Sequence, residues 1–133
     1  KLKEYTLVEQ LEYIDLYSNP SSDTLIARFK ESTVVSEKMA KESLDLVLRN
    51  IKNHTTYGIT DLSAKSIDFT NEAKNSYRKN MDKEGVTLNA VVVKDVALKI
   101  IANTYARFDR PRIPTRVFTS LADAERWIAE AKI

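Results

Sequence analysis

The sequence predicts one α/β domain: a mixed, mostly parallel five-stranded sheet with an N-terminal antiparallel hairpin and four helices. Three observations predict it. From residue 36 onward helix-like and strand-like stretches alternate, the order that builds parallel sheets through helical crossovers. The run from Leu88 to Val93 is nearly continuous in apolar and β-branched residues, as expected of a strand buried on both faces. Before residue 31, two alternating stretches flank Asn19-Pro20-Ser21-Ser22-Asp23, a cluster of turn formers that folds neighbouring strands back on each other.

Taken in order, Leu11 to Ser18 carries Ile14 and Leu16 around Asp15, and Thr24 to Lys30 places Leu25, Ala27 and Phe29 on one side. Both are predicted to be half-buried strands. Residues 1–10 form either an extra N-terminal strand around Tyr5 to Val8 or a flexible arm. Behind Ser36 as N-cap, Ala40, Leu44, Val47, Leu48 and Ile51 recur at helical spacing, predicting a first helix that ends near Asn53. Thr56 to Leu62 reads as a strand. A second helix, Asn71 to Met81, follows Thr70 with a thin apolar face of Ala73, Tyr77 and Met81. Gly85 breaks the chain before the central strand. Asp95 then caps a third helix striped by Ala97, Ile101, Tyr105 and Phe108, which Pro111 and Pro114 bar from continuing. Thr115 to Thr119 is the last strand. Ser120 and Asp123 make an acidic capping box for a final helix that buries Leu121, Ala124, Trp127, Ile128 and Ala131.

Composition removes several function classes. At 133 residues, 43% of them hydrophobic, the chain can bury a core as a single domain spanning 1–133. It has no cysteine, so disulfides, thiolate metal sites and a cysteine nucleophile are out, and a reducing, cytoplasmic setting is expected. A net charge of +2, spread along the chain, is too weak for a nucleic-acid binder that neutralises many phosphates. The longest apolar runs fall far short of the roughly 20 residues that cross a bilayer. With only Gly58 and Gly85, neither a phosphate-cradling loop nor a dinucleotide fingerprint can be built. His54, the single histidine, has no partner at ligand spacing and reads as a surface loop residue. Asp15, Asp61 and Asp68 are each explained by strand ends and caps rather than as paired catalytic carboxylates. No cofactor, metal or catalytic residue is expected, and the protein is predicted not to be an enzyme.

Two sets of side chains invite a functional reading. Lys94, Lys99, Arg107, Arg110, Arg112 and Arg116 crowd one third of the sequence. If the turn at Pro111 gathers several guanidinium groups, they can hold a phosphate, a carboxylate or an acidic partner surface. The plainer reading is solvated charge complementing a helix C-terminus. Tyr13 and Tyr17, on the side of the first strand opposite Ile14 and Leu16, suit either an interface or the core under a helix. Tyr105, Phe108, Phe118 and Trp127 lie at core spacing.

The element order resembles the SpoIIAA-like, or STAS-like (STAS/SEC14-related), domains of bacteria. So do three local patterns: Ile59-Thr60-Asp61-Leu62-Ser63 before the second helix, Asn89 to Val93 leading into a helix, and Arg110-Pro111-Arg112-Ile113-Pro114-Thr115 followed by Phe118-Thr119-Ser120 and Trp127-Ile128. The last is similar to an uncharacterised branch of that family. The resemblance implies a mixed sheet with helices mainly on one face and a role in protein–protein regulation. It also implies a phosphoswitch near the second helix, for which Thr70, Ser66 and Ser63 are the candidates. The family's Asp-Ser-Ser-Gly-like run is absent there, and Thr70 has a plain meaning as an N-cap. The function expected is a non-enzymatic regulatory or scaffold domain binding a protein partner or its own copy. The alternative is a small-ligand or lipid-binding module using the basic turn from Arg107 to Arg116 and a gap between sheet and helices. A large exposed apolar patch would favour docking, and a deep pocket a ligand.

Overall fold

The computed structural model describes residues 2–51, 56–80, 85–108 and 112–132. Its elements are β1 (Thr6–Gln10), β2 (Ile14–Asn19), β3 (Thr24–Phe29), β4 (Val34–Val35), α1 (Glu37–Leu48), β5 (Tyr57–Leu62), β6 (Asp68–Phe69), α2 (Asn71–Asn80), β7 (Asn89–Val93), α3 (Val96–Phe108), β8 (Thr115–Phe118) and α4 (Leu121–Ala131). The helices begin where the caps were expected. Ser36 Oγ accepts from the Met39 N–H, Thr70 Oγ1 from Ala73, Asp95 Oδ1 from Leu98 and Ser120 Oγ from Asp123, at 3.0–3.2 Å. Each hydroxyl or carboxylate thereby satisfies an amide that has no partner within its own helix.

The main sheet has six strands, in the order β1-β2-β3-β5-β7-β8, rather than the five predicted. The additional member is the opening segment, which forms a strand and not an arm. It runs antiparallel to β2, with Thr6 opposite Ser18 and Gln10 opposite Asp15. A bidentate bond from Arg49 to the Glu9 carboxylate (2.7 and 3.1 Å) and one from Asn50 Nδ2 (2.6 Å) tie this edge strand to the end of α1. β2 and β3 are antiparallel, and β3, β5, β7 and β8 are parallel, as a hairpin followed by helical crossovers requires. A separate two-stranded parallel sheet joins β4 to β6. Two residues per strand are too few for alternation to announce them.

Helices cover both faces unequally. On one face Ile14, Leu16, Leu25, Ala27, Phe29, Val91 and Val93 pack with Ala40, Leu46 and Val47 of α1, Ala73 of α2 and Leu98 of α3. On the other, Ile26, Ile59, Ala90 and Val92 pack with Ala124 and Ile128 of α4, rimmed by Leu2, Tyr5, Tyr17, Phe118 and Trp127. β3 is therefore buried on both sides, not half-buried, because it lies between β2 and β5 under helices on either face. The Tyr5 hydroxyl donates to Glu125 at 2.7 Å, fastening the N-terminal segment to α4. Burial, then the carboxylate acceptor, pushes that phenol well above its ordinary ionisation range.

The helical stripes hold at Ala40, Leu44, Val47, Ala124 and Ile128 and depart from expectation at a few positions. α1 ends at Leu48, with Leu46 buried and Leu48 exposed; Asn53 lies outside the described residues. α3 turns Leu98 inward and leaves Ala97 outside, and α4 leaves Ala131 exposed. Gly85, with φ +89°, occupies a left-handed conformation in which an added Cβ would also meet Ile51 Cδ1 at 3.0 Å, so the chain breaker is required there. Among the described residues no helix is long and apolar enough to cross a membrane.

Candidate functional site: an apolar cleft with an unmatched amide

α2 is built from small and polar residues, and within it only Ala73 and Ser76 are buried. It leans on α1, while α3 leans over β7 and β8. Short side chains on one bank and a gap between the two helices leave space above the sheet. The result is a cavity of about 130 Å³, close to the roughly 150 Å³ of an engineered apolar cavity that admits benzene. Its floor comes from β2, β3, β5 and β7 through Ile14, Ala27, Phe29, Thr60, Asn89 and Val91. Its banks are Ser43 and Val47 of α1, Phe69 with Lys74, Tyr77 and Arg78 on the α2 side, and Leu98, Ile101, Ala102 and Tyr105 of α3. The rings of Tyr13, Phe29, Phe69 and Tyr77 follow one another at centroid separations of 6.5, 6.1 and 5.9 Å. They form an aromatic wall with offset and edge contacts that hold such rings in place.

Few polar groups reach this space, and their bonding is nearly closed. Ser43 Oγ donates to the Ala40 carbonyl at 2.8 Å, so the proton it shares with the Tyr77 hydroxyl at 2.7 Å belongs to Tyr77. Thr60 Oγ1 donates to Asn89 Oδ1 at 3.2 Å. The Asn89 backbone N–H is satisfied by the Pro114 carbonyl. Its side-chain Nδ2, in a residue 2% exposed, has no acceptor. Lys74 and Arg78, one turn apart on α2, bring positive charge, with Arg78 also donating to Asn75 Oδ1. No carboxylate occurs among the described lining residues. The cleft is thus an apolar slot with a hydrogen-bond donor on its floor and cations on one bank.

Residues 20–132 match the family described as Domain of unknown function (DUF7793). The chain belongs to the DUF7793 family. This DUF7793 domain is similar in fold to the crystal structure of an uncharacterised DUF3478-family protein with a SpoIIAA-like fold from Shewanella loihica PV-4. The TM-score is 0.61, with 15% sequence identity over 92% of this chain and 99% of the other. At that identity the likeness is one of fold, and the fold is the SpoIIAA-like one that the element order had suggested. No curated protein matches the chain.

Within the DUF7793 domain the residues singled out from sequence are dispersed. Thr70 is half-buried, with its hydroxyl committed to the α2 N-terminus. Ser63 donates to Asp61 Oδ1 at 2.6 Å, and Ser66 is exposed with φ +61°. Arg107 is exposed near the C-terminal end of α3 and Arg112 is exposed before β8. Arg116 lies over the rings of Phe118 and Trp127 at 5.3 and 5.8 Å, on the α4 side. Arg107 therefore belongs to a helix on one face while the Arg116 side chain lies against the other, and neither is among the described residues lining the cleft. Arg110 and His54 lie outside the described residues.

Asp15 and Asp61 do not pair with each other. In the register of β2, β3 and β5, Arg28 stands between them, making a strip of alternating charge in which Arg28 Nε reaches Asp61 at 2.8 Å and Lys30 reaches Asp15 at 3.5 Å. Asp68 accepts from the Phe69 N–H. Tyr13 and Tyr17 part company. Tyr13 lies before β2, and its hydroxyl donates to Glu42, whereas Tyr17 packs on the α4 side beneath Arg28. The residues that sequence reasoning passed over are Asn89, Lys74 and Arg78. Their signals were a lone amide in a buried apolar run and a pair of cations four apart on a helix with little apolar face.

Proposed function

We propose that this DUF7793 domain is a cytoplasmic, non-catalytic binding domain that takes a small, largely apolar molecule into the cleft beneath α2 and α3. The carrying observation is the Asn89 amide, whose Nδ2 is buried without an acceptor in a residue that lines the cavity. Leaving such a donor unmatched costs about 1–3 kcal/mol, which a carbonyl, hydroxyl or carboxylate brought in by a ligand recovers. Burial of the ligand's carbons adds roughly 0.8 kcal/mol per methylene-sized group. Among the described lining residues the charged side chains, Lys74 and Arg78, are of one sign, which supports a cleft that holds and orients rather than one built around an acid–base pair.

The test is occupancy. Phenols and benzamides of one-ring size are expected to raise the melting temperature of the wild-type domain, since anything that binds only the native state stabilises it. Ala102→Leu fills the space above the floor and should abolish those shifts while leaving the unliganded melting temperature equal or higher. If no one-ring compound moves the wild-type transition, or if Ala102→Leu responds to them unchanged, the cleft is not a binding site.

A docking role is the second reading, and one observation favours it. α3 is apolar on both sides: Leu98 and Ile101 turn inward, while Val96 and Ile100 are 73% and 63% exposed. These two side chains and the exposed Ala97 make an apolar strip on the outer side of α3, next to the exposed Lys99, and such a strip suits a docking partner. With a second copy of the chain as the cover, sedimentation equilibrium would show a concentration-dependent dimer that Ile100→Glu dissolves. A monomer at all concentrations would remove self-docking.

A further inference from the structure

We infer that the occupant of the cleft is a one-ring aromatic ketone, aldehyde or ester, an uncharged aryl compound whose carbonyl oxygen accepts from Asn89 Nδ2. The inference rests on the cleft being a binding site and specifies the chemistry it takes. Size and shape set the ring. A cavity of about 130 Å³ is well below the ~300–1,000 Å³ of pockets that enclose larger ligands, and close to the roughly 150 Å³ that admits benzene. Phe29, Phe69 and Tyr77 all line it, and their rings follow one another edge to face at 6.1 and 5.9 Å, with interplanar angles of 62° and 75°. A further aromatic ring prolongs that series with the same favourable contacts. An aliphatic ring of similar size gains burial alone.

The floor sets the substituent. Asn89 is 2% exposed and its Nδ2 has no acceptor, so what this amide lacks is a lone pair. A carbonyl supplies lone pairs and brings no proton. A hydroxyl brings a proton as well, and two side-chain acceptors of the cleft are already engaged: Asn89 Oδ1 takes the Thr60 proton and Ser43 Oγ takes the Tyr77 proton. A carboxylate brings a full charge, and the floor residues Ile14, Ala27, Phe29, Thr60, Asn89 and Val91 include no cation. Burying that charge against one neutral amide costs more than the bond returns. The uncharged carbonyl is the group that answers the donor and loses least on leaving water.

Calorimetry on the full chain compares acetophenone with 1-phenylethanol, ethylbenzene and cyclohexyl methyl ketone. Acetophenone is expected to bind about tenfold more tightly than ethylbenzene, which has the ring without an acceptor, with the alcohol between them. Cyclohexyl methyl ketone should bind about threefold more weakly than acetophenone. Asn89→Leu should bring acetophenone and ethylbenzene to equal affinity. Arg126→Ala, at an exposed position of α4 across the sheet from the cleft, should keep the wild-type order; a changed order there would overturn the assignment to the floor. The four wild-type affinities decide the matter even where Asn89→Leu does not fold. An alcohol that binds as tightly as the ketone, or a ketone no tighter than ethylbenzene, overturns the carbonyl assignment although the cleft still binds. A cyclohexyl ketone equal to acetophenone overturns the aromatic one. If none of the four binds while phenols or benzamides still raise the melting temperature, the inference fails and the site stands. If those compounds also leave the transition unmoved, the binding site itself is lost and the inference with it.

Discussion

Asp61→Ala is expected to lower the unfolding free energy by about 3 kcal/mol, at the lower end of the range for breaking a buried ion pair. The carboxylate is 2% exposed on β5, near the middle of the sheet. Oδ2 accepts from Arg28 Nε at 2.8 Å, and Oδ1 accepts from the Ser63 N–H at 3.0 Å and its hydroxyl at 2.6 Å. Truncation strands all three donors. The loss stays at the lower end because the Arg28 side chain is 35% exposed and can recover part of its hydration. Asp15→Ala provides the contrast, since its pair with Lys30 is long, at 3.5 Å, and the Oδ1 involved is buried without a hydrogen-bond partner, so its removal should cost less than about 1 kcal/mol. Urea denaturation of the two variants, with an unchanged slope, measures the difference. An Asp61→Ala midpoint within about 0.5 kcal/mol of wild type would mean that the strip of alternating charge does not hold β5 to β3.

The double variant Thr60→Val/Asn89→Leu is expected to do the opposite and raise the stability of the unliganded domain by about 1–2 kcal/mol. Removing both partners of a buried hydrogen bond with groups of similar shape is close to neutral, whereas an unmatched donor is a standing penalty. Here the Asn89 amide carries both, a bond to Thr60 and a free Nδ2. Asn89→Leu alone should gain less, because the Thr60 hydroxyl then loses its acceptor. Thermal and urea unfolding read the gain, and the same protein should bind no hydroxylated one-ring probe more tightly than its unsubstituted counterpart. Stability gained at the cost of recognition is what a site kept polar for a ligand predicts. A double variant less stable than wild type would show that the amide is already satisfied.

Local chemistry made much of this fold legible. Ser36, Thr70, Asp95 and Ser120 each announce a helix through a short polar side chain that fits an exposed amide. The run ending in Val91, Val92 and Val93 can only be a strand with neighbours on both sides. What escaped depends on partners distant in sequence. β3 alternates as though half-buried, and nothing local tells that α4, nearly a hundred residues later, covers its other face. Arg107 and Arg116 are close in sequence, yet α3 and α4 take their surroundings to opposite sides of the sheet. Asn89 reads from sequence as a blemish in an apolar strand. Its meaning appears only when α2, poor in apolar side chains, fails to fill the space above it.

The place of β1 and β2 has a consequence for the boundary of the family-matched region, which begins at residue 20. Ile14 and Leu16 of β2 have no solvent exposure, and β2 occupies the flank of β3 that would otherwise present a bare ladder of amides and carbonyls. An uncovered flank of this kind is a template on which chains polymerise. The residues before 20 are thus no appendage to the matched region. They carry the sheet's edge out to β1, whose ladder is interrupted by a register shift between Leu7 and Glu9 and so makes a poorer template than β3 would.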